Sequence, residues 1–478
     1  MGHRSNRPNS WASVERDMAT FGSYTTAPPL PREPSEVRRI EHSRLRRRVL
    51  YNLHEPDIVS RLTETVGNVR REAWPPPDMT ANPARHVFTQ LAALYRQVPE
   101  VMPPPGGEMV AAAISEAGYW QLANRVQRDT LGLNDALVNV TIVNGEPVYR
   151  LVWPDMVQVE VNPRQPSEVV AVREWSPDPD DPSSWVTLVT DPREPSYRAF
   201  DEMGNDVSDR VLGGRFVGDA YPWFTDDGPV LPYVLYCSAE TGYAFDAYSG
   251  AEVFEGSLQL GVYYTMLAHN FADSSWAQRY AIGAEPVGLD AVGDGRRAEI
   301  VTDPATLLLL RQADESSGQP VVGQWTAPVD PESMLSAIER YERRIVEMAL
   351  GTAGVSRRES DVRSAASLAV SREAQREAQR AYEPLFRRSD LQLIALTAGL
   401  LGGPTTGWRI TYKSLPKDPA EQDAEIKRIT DLLEAGLLDK VTAYQQLNPG
   451  LSRQEASEAL MLIDASNQDL TPPMEDTP

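Results

Sequence analysis

The side chains best suited to chemistry are few and scattered. His3, His42, His54, His86 and His269 include no pair at the short helical spacing that would aim two imidazoles at one metal ion. The single cysteine, Cys237, excludes an intrachain disulfide and a cysteine-based zinc site. It lies in VLPYVLYCSAE, an apolar strand-like run in which a thiol reads as a packed side chain. VGDGRR (292–297) has the glycines and arginines to touch a phosphate, but the same composition builds a hairpin tip. There is no phosphate-cradling P-loop, no Gly-x-Ser-x-Gly elbow and no dinucleotide fingerprint. The acidic residues are too dispersed to single out a catalytic carboxylate pair. These observations lead us to expect no catalytic centre, no cofactor and no metal, hence a protein that is not an enzyme.

One basic segment stands apart. In EVRRIEHSRLRRRVLYN, Arg38, Arg39, Arg44, Arg46, Arg47 and Arg48 crowd one predicted helix. It reads either as a phosphate-binding segment or as a helix that is solvated or docked on an acidic surface. The chain around it is acidic, with a formal net charge of −22. Such a surface repels polyphosphate at long range. That argues against a nucleic-acid coat protein, but not against a passage along which DNA must slide without sticking.

The elements that would position these residues follow from pattern. At 478 residues the chain can hold several core-forming units. Residues 1–50 read as an N-terminal arm, partly disordered, that carries the basic segment 36–48. Residues 56–130 read as mostly helical, broken at WPPPD (74–78) and VPEVMPPPGG (98–107). From 136 the sequence turns to strands. ALVNVTIVNGEPVYRLVWPDMVQVEV carries an Asn-Gly hairpin signal at 144–145. Further strands are expected at 168–175, 184–190, 195–201, 215–221 and 230–237. The fold class is therefore α+β, around antiparallel sheet.

Helical periodicity returns at 256–283 and at 330–351. His269 falls on the first of these helices, between Leu267 and Phe271, where a packed or interface role is expected. The second helix opens with Asp330 as N-cap and Pro331 at its first position. Between them lies a β-rich insert, 284–329, so an outgoing and a returning helix bracket a small tip. A polar stretch, 352–363, leads into SAASLAVSREAQREAQRAYEPLFRRSD, part of a long helix expected over 364–407. Its stripe of Ala366, Val370, Ala374, Ala378 and Tyr382 is mostly small and suits close packing against a neighbouring helix or subunit. Pro384 should bend the helix near 380–384. A strand at 408–415 and a helical region at 416–464 follow, with Gly436 as a helix stop and Ser452/Glu455 as a capping box. Residues 465–478 read as a disordered acidic tail. No signal peptide is apparent, and LQLIALTAGLLGG (391–403) is too short to span a bilayer, so no membrane association is expected.

In this order the chain resembles the portal proteins of tailed double-stranded DNA bacteriophages, especially the long-tailed type. The resemblance is carried by GPVLPYVLYCSAE, by AYSGAEVFEGSLQLGVYYTMLAHNFADSSWAQ, by the helix–insert–helix unit, and by the proline-bearing helix after it. It is carried last by LPKDPAEQDAEIKRITDLLEAGLLDKVTAYQQLNPGLSRQEASEAL. It covers roughly residues 50 to 463 and rests on layout more than on any one motif.

The resemblance implies a ring of twelve copies at one capsid vertex of a virion, assembled in the host cytoplasm. Double-stranded DNA would be packaged through the ring and later ejected. Residues 51–255 with 408–415 would be the wing, 256–283 and 330–351 the stem, and 284–329 the clip. Residues 352–363 would be the tunnel loop and 416–464 the crown. Arg357, Arg358 and Arg363 of the tunnel loop, with Glu339, Arg343 and Glu347 of the stem, would face DNA or pair across subunits. Asp290, Asp294, Arg296, Arg297 and Glu299 of the clip would meet the motor or an adaptor. Implied partners are the large terminase subunit, which holds the ATPase, a head–tail adaptor, and the major capsid and scaffolding proteins. The rival reading is a DNA-binding regulatory protein that uses 36–48.

Overall fold

The computed structural model describes residues 34–67, 75–181, 183–212, 221–245, 250–275, 278–282, 284–286, 310–312, 321–325, 330–350, 365–413, 419–448 and 452–469. The stretches 1–33, 215–220, 352–363 and 470–478 lie outside the described residues. So do Asp290, Asp294, Arg296, Arg297, Glu299, Arg357, Arg358 and Arg363.

The first helix, α1 (Pro34–Leu50), corrects the expected arm at its C-terminal end. Ile40, Val49 and Leu50 are fully buried in the main core, so the helix belongs to the body. Four of its six arginines are engaged inside the chain, and Arg38 is exposed. Arg39 donates to the carbonyls of Pro154 and Val157, each at 2.7 Å. Arg47 pairs with the fully buried Asp155 at 2.7 Å, and Arg48 with Asp57 at 2.6 Å. The Arg46 guanidinium lies over the Phe254 ring, 5.3 Å from its centre. A charged helix can dock this way where a buried guanidinium finds oxygen acceptors or an aromatic face; Arg44 does not, since its buried Nε and Nη2 have no hydrogen-bond partner.

After α1 come α2 (Glu55–Val66), α3 (Pro83–Leu91), a short strand β1 (Glu100–Met102), α4 (Glu108–Glu116) and α5 (Tyr119–Leu133). The expected breaks fall between them. The Asn82 side chain caps α3 by accepting from the Arg85 amide at 3.0 Å. Next are β2 (Asp135–Val143), β3 (Glu146–Val152), β4 (Val157–Asn162), β5 (Gln165–Pro177), β6 (Trp185–Asp191), β7 (Ser196–Phe200), the single turn α6 (Ser208–Val211), β8 (Phe224–Thr225), β9 (Gly228–Pro229) and β10 (Tyr233–Cys237).

β2 and β3 form the expected hairpin. Asn144 and Gly145 both have positive φ, 54° and 83°, as the tight turn between two right-twisted strands demands. One sheet has the order β10–β2–β3 and a second the order β4–β5–β6–β7, all pairs antiparallel. Glu174 of β5 joins them, paired with Arg150 of β3 and accepting from the Tyr233 hydroxyl at 3.0 Å.

The outgoing helix α7 is Ala251–Ser275, not 256–283. Gln278–Ile282 is a strand, β11, and pairs antiparallel with β14 (Val321–Trp325) from Gln278↔Trp325 to Ile282↔Val321. Between them β12 (Ala284–Pro286) pairs with β13 (Leu310–Gln312). The pairing partner sits about forty residues downstream, and a local periodicity cannot register it. The returning helix α8 (Pro331–Leu350) is capped as expected. Asp330 accepts from the amides of Glu332 at 3.1 Å and Ser333 at 3.3 Å.

The long helix α9 runs Ala365–Leu400 and stops seven residues before the expected end. Gly402, at φ 72°, closes it, with the Gly403 amide donating to Ala398 and the Gly402 amide to Gly399. Pro384 lies exposed inside this helix, where water can solvate the carbonyl its ring leaves without a donor. The expected strand at 408–415 contracts to β15 (Arg409–Thr411), paired with β1. The C-terminal region is α10 (Pro419–Glu434), α11 (Lys440–Leu447) and α12 (Arg453–Asp469). Gly436 ends the first, and Ser452 and Glu455 exchange the two capping bonds that open the third. The helix α12 continues five residues past Asp464, where the disordered tail was expected to begin.

Candidate functional surface

The two struts pack against each other in opposite directions. Gly256 of α7 faces Ile345 of α8, the Tyr263 and Tyr341 rings meet edge-on at 5.7 Å, and the Asn270 side chain donates to the Met334 sulfur at 3.3 Å. Sequence number rises along one helix as it falls along the other. The approach is close because residue 256 has no side chain. A Cβ there would sit 2.5 Å from Ile345 Cδ1 and 2.8 Å from Cγ1.

The base of α7 is rooted in the body. Ser257 Oγ accepts from the Ala84 amide at 3.0 Å, Thr265 Oγ1 from the Asp78 amide at 2.9 Å, and Phe254 stacks on Phe88 at 5.3 Å. Beyond Ser275 the ribbon β11/β14 follows. The body therefore puts out a helix pair that ends in antiparallel strands.

α8 turns Ile338 and Ile345 into this contact and leaves a charged face outside. Glu339, Arg343 and Glu347 recur every four residues and so form one row along that face. Glu339 and Arg343 are exposed and Glu347 is half-buried, while Arg340 and Arg344 are exposed beside the row. The structure thus brings the three stem residues together. The tunnel-loop and clip residues named from sequence lie outside the described residues.

A second cluster was missed by sequence reasoning. Asp390 of α9 is fully buried and its two oxygens accept from four phenols. Tyr119 and Tyr236 donate to Oδ1 at 2.8 Å each, and Tyr95 and Tyr412 to Oδ2 at 2.7 and 2.5 Å. The Tyr119 and Tyr236 hydroxyls also lie 2.5 Å apart. Burial pushes the carboxyl above its ordinary range, against the downward pull of the four hydrogen bonds. Burial, with the Asp390 charge behind it, pushes the phenols of Tyr95, Tyr119 and Tyr236 well up. No substrate reaches a carboxylate sealed this way, so the cluster is a fastening between α9 and the body. A signal for it does exist in the sequence. Phe386, Asp390, Leu393, Ile394 and Thr397 share one helix face, and an acid on an apolar face needs donors.

Asp129 is a smaller version of the same device. It accepts from the Tyr51 hydroxyl, from Trp153 Nε1 at 2.9 Å and from Arg128 at 2.7 Å. Cys237 is half-buried, and burial beside Asp135 pushes its thiol up, away from reactivity. Among the described residues no cluster of His, Cys, Asp and Glu could hold a metal ion, and no helix is long and apolar enough to cross a membrane. The cavity between α1 and Asn134 measures about 10 Å³, room for one water.

His54 differs from these paired groups. It is fully buried, and neither ring nitrogen makes a hydrogen bond of good geometry. Burial lowers its pKa below the ordinary 6.5, with Asp57 and the Arg48 backbone pulling the other way. The unfolded chain therefore takes up a proton that the folded chain refuses. The stability this neutral group supports is complete above pH 6.5 and falls as the pH drops below it. Urea midpoints measured at pH 7.5 and pH 5.5 should drop more for the wild type than for His54→Leu. Equal drops would refute this assignment.

No protein-family model matches the chain, and no curated protein does. Among solved structures, the chain is similar to a chain from the virion of a native gene transfer agent particle. The identity is 14% over 78% of this chain and 94% of that one, with a TM-score of 0.40. It is also similar to a chain from the neck of an empty gene transfer agent particle, at 13% identity over 77% of this chain and 91% of that one, with a TM-score of 0.39.

Proposed function

We propose that this chain is a portal, or head-to-tail connector, subunit of a tailed double-stranded DNA phage. In this reading about twelve copies form a ring at one capsid vertex, DNA enters and leaves through its centre, and the motor and a head–tail adaptor dock on its outer end. The observation that carries the reading is the antiparallel pair α7/α8. It is rooted in an α+β body, ends in a ribbon, and presents a face of mixed charge along α8. The net charge of −22, repeated around a ring, makes a wall that phosphates slide past. Basic residues such as Arg343 then act locally, where a strongly basic wall would hold DNA by counterion release. The chain supplies the conduit, and ATP hydrolysis belongs to a separate motor.

The regulatory reading loses four of its six arginines, because Arg39, Arg46, Arg47 and Arg48 are spent on the chain's own carbonyls, carboxylates and rings. Negative-stain electron microscopy of the purified chain, with antibody labelling of intact particles, tests the proposal. Rings of roughly twelvefold symmetry with an open centre, and label at a single vertex, are expected. Particles whose unique vertex lacks this chain would end it.

A further inference from the structure

This acidic chain gathers guanidiniums in one place that neither the struts nor the Asp390 fastening uses. Arg47 of α1 and Arg125 of α5 lie over the Trp153 ring, 4.8 and 5.4 Å from its centre. Arg125 and Arg128, about one helical turn apart, lie over the Tyr51 ring at 5.6 and 4.9 Å. Arg44 stands one turn before Arg47 and feels its charge.

The charges in this group do not balance. Arg47 grips Asp155 through Nε and Nη2 at 2.9 and 2.7 Å. Arg128 grips Asp129 through the same two atoms, again at 2.9 and 2.7 Å. Arg125 holds neither carboxylate. Its Nε donates to the Tyr51 hydroxyl at 3.0 Å and comes no nearer to Asp129 than 3.9 Å. Arg44 hydrogen-bonds to neither through its buried Nε and Nη2. Four guanidiniums thus stand against two carboxylates, an excess of two positive charges, or of one when the exposed Glu41 beside Arg44 is included. Burial and the charges of Arg47 and Arg48 push the Arg44 guanidinium down, against the pull of Asp155 and Glu41.

The spare donors have a definite shape. The Nη1 and Nη2 groups of Arg125 make no hydrogen bond among the described residues, and they are not sealed from solvent. The side chain is 19% exposed. The rings and the Tyr51 hydroxyl already hold it, so little rotamer freedom remains to be lost on binding. A guanidinium end held this way matches the two oxygens of a carboxylate. Carboxylate is also what Arg47 and Arg128 take beside it. Nucleic acid suits the place less. Trp153 is buried and Tyr51 half-buried beneath guanidiniums, so neither ring is open to a base. A long polyanion must also lie against a chain of charge −22, whereas a short acidic segment brings its charge only to this spot.

We infer that the Arg125–Arg128 edge, clamped on Tyr51 and Trp153, is a docking site for a carboxylate-bearing acidic peptide of a partner protein, which the Arg125 Nη pair grips end-on. The site lies within one chain and does not rest on the portal reading.

Fluorescence anisotropy of a dye-labelled hexaglutamate peptide with the full-length chain at low salt tests the inference. Binding is expected, and Arg125→Gln should weaken it about tenfold, the loss of one charge-assisted pair. Arg125→Lys keeps the charge without the fork and should stay at least about threefold weaker than the wild type. Arg164→Gln, which removes an exposed charge elsewhere, should change nothing. Hydrogen exchange of the wild type, which needs no variant to fold, should show added protection over 44–51 and 119–133 when the peptide is present. No binding, equal losses in Arg125→Gln and Arg164→Gln, full rescue by lysine, or protection confined to other segments would each overturn the inference. So would tighter binding of a short DNA duplex at the same salt, abolished by Arg125→Gln, because that would assign the site to phosphate.

Discussion

Asp390→Ala should destabilise the body by about 3–5 kcal/mol, the cost of stranding buried polar partners around a lost charge. All four phenols that donate to Asp390 are buried. With the carboxylate gone, none of them can reach water, and the hydroxyls of Tyr119 and Tyr236 would have only each other. Asp390→Asn should cost less, about 1–3 kcal/mol, since its oxygen still accepts while its amide faces hydroxyls that must turn round. Tyr412→Phe removes one donor and leaves three, at about 1 kcal/mol. The order Ala, Asn, Phe is the test. Trp120 lies against Tyr119 with ring centres 4.8 Å apart, so tryptophan fluorescence during urea unfolding reports on the cluster. An Asp390→Ala midpoint equal to the wild type's would refute the fastening role.

That cluster also marks the boundary of what the sequence makes legible. Features set within a few residues were readable. These include the Asn144–Gly145 turn, the Asp330 cap, the Gly436 stop and the Ser452/Glu455 box. Each is a local hydrogen-bond or dihedral requirement written in adjacent letters. The partners of Asp390 come from positions 95, 119, 236 and 412, and nothing at any one of them announces the others. The same distance hid the strand Gln278–Ile282, whose partner begins at Val321, and the acceptors of Arg39 and Arg47 near residue 155.

The small stripe of the long helix, at 366–382, reads as suited to a neighbouring helix or subunit, and from Phe386 onward the helix has its partners inside its own chain. Phe386, Leu393, Ile394 and Ala398 are buried in the main core. Farther up, Gln379 donates to the Lys413 carbonyl at 2.9 Å. Of the channel residues expected from the resemblance, the row Glu339, Arg343 and Glu347 could be read from spacing alone, because one helix carries all three.

The strut pair supplies the second large effect, at Gly256. Gly256→Val should cost about 1–3 kcal/mol by overpacking. Its Cβ would fall 2.5 Å from Ile345 Cδ1 and 2.8 Å from Cγ1, and its two methyls need further room. Ile345 cannot simply swing away. It is 7% exposed, and a β-branched side chain on a helix has one strongly preferred rotamer. The strain must move α8 away from α7. Helix propensity acts in the opposite direction, since glycine in a helix interior is about 1 kcal/mol worse than alanine. These two terms can be separated by sign. In the wild-type background Gly256→Ala meets Ile345 and should destabilise or at best break even. In an Ile345→Ala background the obstructing atoms are gone, and the same Gly256→Ala change should stabilise by up to about 1 kcal/mol. Thermal unfolding of the four chains, with hydrogen exchange read over 251–275 and 331–350, measures the cycle. If Gly256→Ala has the same effect in both backgrounds, Gly256 is not what sets the spacing of the struts. If the sign reverses, the glycine is present to let α8 lie close against α7, and the charged row on the outer face of α8 is held where that spacing puts it.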